Sequence, residues 1–144
     1  MDAFMAMTID EARLAAQEGG VPIAAVLVRD GVVLSKGRNR RIQDDDPIMH
    51  AEIACLRNLA DINLAQGATM YCTSMPCFMC AGAVVQWGVA KFVCSHSEGF
   101  IDSRSFLESH GVVVVDLGLE EPKRTIEEFF KKYPEKRLRE KPGS

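Results

Sequence analysis

Three side chains in this sequence have the types and spacing of metal ligands, and a fourth could do proton chemistry beside them. His50 lies in His50-Ala51-Glu52, and two cysteines lie in Pro76-Cys77-Phe78-Met79-Cys80. One imidazole and two thiolates would fill three tetrahedral positions around zinc and leave the fourth to water, the ligand count of a catalytic site. Zinc lowers the pKa of bound water toward neutrality. Glu52, two residues past the histidine, is then available as a carboxylate that acts first as base and then as acid. A Cys-x-x-Cys pair alone would be weak evidence, because it also fits redox and structural sites. The proline before it, the upstream His-x-Glu and a helix start at each motif make the combination specific. The bland alternative is a closed zinc knuckle, with Cys72 or Cys94 as fourth ligand and Glu52 merely complementing a helix dipole.

The surrounding pattern must bring these residues together. From about Asp2 to Glu18, apolar residues interleave with charged ones and Gly19-Gly20 closes the run, which predicts an amphipathic helix. Pro22 to Val28 and Val32 to Lys36 are rich in β-branched and small apolar residues, and Arg29-Asp30-Gly31 between them carries turn chemistry, so a β-hairpin is expected. The segment Arg38 to Asp46 holds three basic and three acidic residues and reads as a solvated connection. His50 to Ala60 has helical spacing and Thr69 to Thr73 reads as a strand. Cys77 to Trp87 is nearly all apolar, which predicts a helix buried on most of its surface and ended by Gly88. Val89 to Ser95 and Val112 to Asp116 are strand-like runs, with a short helix near Ser103 to Ser109 between them and a final helix over Glu121 to Lys132. Cys55, Cys72 and Cys94 fall inside apolar elements and are expected in the core. This order argues for an α/β architecture, a mixed sheet with helices on its faces.

Composition narrows the function classes. A chain of 144 residues with 47% hydrophobic content suits a single domain, taken here as residues 1–144, with a sizeable core. A net charge of -3 and a pI near 5.6 lack the basic footprint of a nucleic-acid binder. Six basic residues against two acidic ones between Lys131 and Lys141 form a charge run that is expected to be solvated. Five cysteines, an odd count, and an N-terminus without a basic-then-apolar leader point to reduced thiols and a cytoplasmic setting. No apolar run approaches the length of a membrane span.

With its two motifs, the sequence resembles the cytidine deaminase-like superfamily of zinc-dependent nucleobase deaminases, and most closely single-domain cytosine deaminases of the fungal type. The resemblance runs from about Glu18 to Pro134. It includes Glu18-Gly19-Gly20-Val21-Pro22-Ile23, Gly37-Arg38-Asn39 followed by Gln43, both zinc motifs, Cys80 through Val89, and Val112-Val113-Val114-Val115-Asp116. It implies a three-layer α/β/α fold with a mixed five-stranded central sheet, one zinc ion per chain held by His50, Cys77 and Cys80, Glu52 as proton carrier, and a homodimer. It further implies that Asn39 binds the polar edge of the base, although asparagine beside Gly37 suits a plain turn equally well. The Ala51 N–H would face the ring carbonyl, the Met75 carbonyl would accept from the exocyclic amine, and Phe100 would cover the ring. The chain departs from the pattern at its C-terminal lid: Arg137-Leu138-Arg139-Glu140 replaces an aromatic-rich segment ending in aspartate. Glu140 takes the aspartate's place and Arg137 that of a tryptophan. His96 and Glu98 depart too, and a pocket closed by arginine favours a more polar or anionic ring than cytosine.

The function expected on this resemblance is hydrolysis of cytosine to uracil and ammonia, with a small nucleobase as partner, no membrane, and nucleic acid disfavoured. Three alternatives compete: deamination of guanine or another aminated heterocycle, deamination of tRNA adenosine, and a non-catalytic zinc-stabilised interaction module. The helix near Val84 to Trp87 is one candidate dimer surface.

Overall fold

The computed structural model describes residues 2–97 and 101–137. Helix α1 (Ala3–Gln17) leads into the hairpin β1 (Ala24–Arg29) and β2 (Val32–Arg38); α2 (Ala51–Arg57), β3 (Thr69–Cys72), α3 (Phe78–Gln86), β4 (Lys91–Cys94), α4 (Ile101–Ser109), β5 (Val113–Asp116) and α5 (Glu120–Lys132) follow. Short 3-10 turns at Ile62–Ala65 and Pro134–Lys136 complete the elements of the described residues. The sheet order is β2-β1-β3-β4-β5. β1 runs antiparallel to both neighbours, while β3, β4 and β5 are parallel. The expected mixed five-stranded sheet is present.

Local chemistry explains the element boundaries. The Asp2 carboxylate caps α1 by accepting from the Phe4 and Met5 amides at 2.8 and 3.1 Å. Asp30 and Gly31 both take positive φ, 50° and 76°, the conformation a tight right-twisted hairpin requires.

Alternation along the strands divides the interior into two layers. Met70, Cys72, Phe92 and Cys94 point to one face, where Ala51, Cys55 and Leu56 of α2, Ala81 and Val84 of α3 and Leu107 of α4 pack. Tyr71, Val93 and Val115 point to the other face and meet Met5 and Ile9 of α1. Helix α5 lies beside α1, where Arg13 and Glu121 pair at 2.7 Å, and packs Ile126 and Phe130 against Val21. Fully burying a side chain such as Phe92 contributes roughly 2 kcal/mol, whereas an exposed pair like Arg13 with Glu121 contributes at most about 1 kcal/mol. The layers are therefore held by their apolar faces.

Three expectations need correction. Helix α2 is shorter than His50 to Ala60, because the chain breaks into the 3-10 turn at Ile62–Ala65 before β3. Helix α3 is buried on one stripe only: Cys80, Ala81 and Val84 face the core, while Phe78, Met79 and Trp87 are exposed by 54%, 39% and 41%. Hydropathy without periodicity could not separate those faces. The segment after β2 is not simply solvated, since Asn39 and Arg41 are both buried.

Candidate active site

Both motifs sit at helix starts, as expected. His50 is the N-cap of α2 and Cys77 the N-cap of α3, each in extended conformation, and Cys80 lies one turn into α3. β3 ends at Cys72, and residues 73–76 carry the chain to the start of α3 at the carboxyl edge of the parallel strands, where open α/β sheets place their ligands. Helix α2 reaches the same edge by lying almost on β2. A side chain at Gly37 would run into the main chain of Ala51 and Cys55, so the close approach requires glycine there.

The three donor atoms converge within 4.8 Å, and the residues are buried. The His50 Nδ1 atom is 3.5 Å from the Cys77 sulfur and 3.6 Å from the Cys80 sulfur. Tetrahedral zinc with ordinary bonds to nitrogen and sulfur separates such donors by about 3.6 Å. The donor set therefore fits zinc in both chemistry and dimension. Cys72 and Cys94 are not part of this cluster; among the described residues there is no fourth protein ligand, so the closed knuckle loses its support. Cys55, Cys72 and Cys94 are core residues.

The electrostatics favour a bound cation. A hydrogen bond from Cys80, partly opposed by burial and reinforced by His50, brings the Cys77 thiol down to about 4. Cys80 is held protonated by its bond to Cys77 and by burial. A cation removes that competition and lets both sulfurs ligate. Glu52 is pushed up to about 7, first by burial and then by the charge at Cys77.

A cavity of about 150 Å³ opens over this cluster. Its floor includes His50, Glu52, Cys77, Ser74 and Met75, and Asn39 and Ile23 line its side. The Asn39 Oδ1 accepts from the Arg41 amide at 3.1 Å, so this residue both shapes its turn and borders the cavity. Met75 also borders it, with its carbonyl accepting from the Ser74 hydroxyl at 3.2 Å. Ala51 is fully buried at the first position of α2, where an amide has no partner within its own helix. Phe100, Glu140 and Glu98 lie outside the described residues. Arg137 borders the cavity and stacks its guanidinium 4.2 Å from the Phe130 ring centre; His96 borders it as well.

The wall formed by α5 was not anticipated. Lys123, Ile126, Glu127 and Phe130 border the cavity. Their i, i+3, i+4, i+7 spacing was the available signal: one helical stripe carrying two charged and two apolar residues, as expected where a core face meets a polar ligand.

A three-donor metal centre with an adjacent buried carboxylate, at the carboxyl edge of an α/β/α sheet, defines a zinc-dependent hydrolytic site. Residues 1–96 match the cytidine and deoxycytidylate deaminase zinc-binding region. Cytosine deaminase of Candida albicans is 32% identical over 132 residues, 90% of this chain and 88% of that protein. The tRNA-specific adenosine deaminase of Aquifex aeolicus is 29% identical over 140 residues, 90% of this chain and 93% of that protein. The guanine deaminase structure from Nitrosomonas europaea superposes with a TM-score of 0.75 at 23% identity, covering 88% of this chain and 82% of that one, which shows the shared fold. The chain belongs to the zinc-dependent cytidine and deoxycytidylate deaminase family, whose members hydrolyse C–N bonds in cyclic amidines.

Proposed function

We propose that the chain, as one domain, deaminates a free nucleobase, with cytosine going to uracil and ammonia. The carrying observation is a single cavity that joins the zinc donors, Glu52 and Asn39 and is bounded on its other side by α5 of the same chain. About 150 Å³ is the space that holds one six-membered ring. Similarity to the Candida cytosine deaminase over nine-tenths of the chain supports that ring size.

His50, Cys77 and Cys80 would hold the zinc ion, which would supply the Lewis acidity that makes water nucleophilic near neutral pH. Glu52 would take a proton from the attacking water and pass it to the ring nitrogen beside the attacked carbon, then carry the second proton, from the newly added hydroxyl, to the amine, so that the carbonyl forms as ammonia leaves. Burial keeps the carboxylate from being solvated at rest and leaves it ready to hold a proton. The Asn39 amide binds the polar edge of the ring, its carbonyl committed to the Arg41 amide and its amino group donating to the base. The Ala51 N–H donates to the ring carbonyl, and the Met75 carbonyl accepts from the exocyclic amine. Phe100 and Glu140 are proposed as ring cover and amine partner.

Lys123, Glu127, His96 and Arg137 favour a second reading, in which a more polar aminated heterocycle than cytosine is the substrate. Ammonia release by the zinc-loaded protein against cytosine, isocytosine, guanine, adenine, cytidine and a tRNA anticodon stem separates the readings. Turnover of cytosine above the others is expected. A preference for a purine assigns the charged wall to purine recognition, and turnover of the anticodon stem alone overturns the free-base reading.

We further propose a homodimer through the exposed face of α3. Val84 is fully buried and is no part of that surface; Phe78, Met79 and Trp87 are the exposed apolar residues. Sedimentation equilibrium should give twice the chain mass, with Phe78→Glu shifting it to the monomer.

A further inference from the structure

We propose that Arg41 is a positioning residue, tying the segment after α5 to the loop that carries Asn39 and so setting the outer wall of the pocket. The proposal rests on reading that pocket as the base-binding site. Arg41 is 5% exposed, although it stands in a loop with three aspartates and two other arginines. Burying a guanidinium is unfavourable unless its hydrogen bonds are made inside the protein. Its Nη2 donates at 2.9 Å to the main-chain carbonyl of Lys136, 95 positions along the chain. A charged donor makes this stronger than a neutral contact.

Each end of the tie is fixed to the pocket. At the near end, the Arg41 amide donates to the Asn39 side chain at 3.1 Å and its carbonyl accepts from the Asp46 amide at 3.0 Å. The next residue, Ile42, packs against Val21, Ile126 and Phe130, so the loop grips α5 through an apolar contact as well. At the far end, the Lys136 amide donates to Tyr133 and the Arg137 amide to Pro134, forming a compact turn. Arg137 then stacks on Phe130, and both border the cavity with Asn39. Arg41 itself is not a lining residue. It acts through the groups at its two ends, which bear on substrate binding rather than on the reacting atoms.

Arg41→Met is the test substitution, because methionine keeps the apolar length without leaving a buried charge. The hydrogen bond from the Arg41 main-chain amide to Asn39 Oδ1 does not involve the Arg41 side chain and persists, so the change isolates the guanidinium. Hydrogen exchange of the peptide spanning 133–137 should become about tenfold faster. Exchange in 51–57 and 78–86 and the zinc content should stay unchanged. On whichever base the wild type turns over, KM should rise about tenfold with kcat within about threefold. Arg41→Lys should fall between, since an ammonium keeps the charge but not the planar fork. The double variant with Arg137→Met should bind no worse than Arg41→Met alone, as expected when one residue acts through the other.

Unchanged exchange at 133–137 overturns the tie, as does faster exchange spread across all helices. Multiplying KM effects in the double variant overturn the route through Arg137. A wild type inactive on every base defeats the functional reading instead, and the exchange result still decides the tie.

Discussion

The two sides of the pocket are built by different rules. The floor is local: His50 and Glu52 are neighbours in sequence, Cys77 and Cys80 are one turn apart, and helix starts aim them. The opposite wall is assembled from Asn39, His96, the α5 stripe and Arg137, which span much of the chain. The floor has one geometry that works, because a metal fixes the distances between its donors. The wall only has to complement a ligand, so it tolerates many solutions. On the function proposed above, chemistry belongs to the rigid side and selectivity to the adaptable one.

Substitution of Glu52 should give the largest effect. Glu52→Gln is expected to lower kcat by roughly a hundredfold to ten-thousandfold, with zinc content and unfolding temperature unchanged. Activity within tenfold of wild type would remove Glu52 from proton transfer and leave the floor a structural metal site.

The scaffold beneath the floor comes next. Gly37→Ala should cost about 1–3 kcal/mol of stability, because a methyl there meets the α2 main chain. Gly82→Ala in α3 meets nothing within 4 Å and should stabilise by about 0.5–1 kcal/mol. Paired urea titrations check both, and equal effects would show that α2 and β2 do not make the close approach.

On the other wall, Lys123→Met and Glu127→Gln should change the ratio of kcat/KM between two bases by about tenfold, roughly 1.4 kcal/mol, with little change in kcat. A loss of kcat equal for all bases would make the wall part of the catalytic machinery and break the contrast.

The smallest effect per group concerns the core beside the site. Burial pushes Cys55 and Cys94 up to about 12, in Cys55 against a hydrogen bond from Ser35. The folded thiols hold their protons while unfolded ones ionise near 9. Their contribution is complete below pH 9 and is lost as pH rises toward 12. Between pH 8 and 10 each thiol should cost about 1 kcal/mol of stability. A urea midpoint that stays flat over that range would mean that these thiols are not held in dry core.

Where the signal was local, sequence and structure agree closely. The Asp30-Gly31 turn, the first helix with its Gly19-Gly20 stop, the strand runs and the two zinc motifs all follow from short-range spacing. Disagreement begins where burial depends on distant partners. Arg41 stands among charged residues, and its guanidinium is buried with a hydrogen bond to the carbonyl of Lys136, 95 positions away. Phe78 and Trp87 sit in a nearly all-apolar run, yet the sheet has room for only one face of α3, and they remain outside.

The sequence by itself determined the element order, the zinc donors and the acid beside them, because a helix start and a fixed spacing of donors are properties of a few consecutive residues. Tertiary structure alone decided that α5 joins the opposite wall, which arginine is buried and which face of α3 stays open. The first two outcomes depend on how α5 and residues 133–137 return across the edge of the sheet, the third on which stripe of α3 meets the sheet, and no short window of sequence contains both sides of either contact.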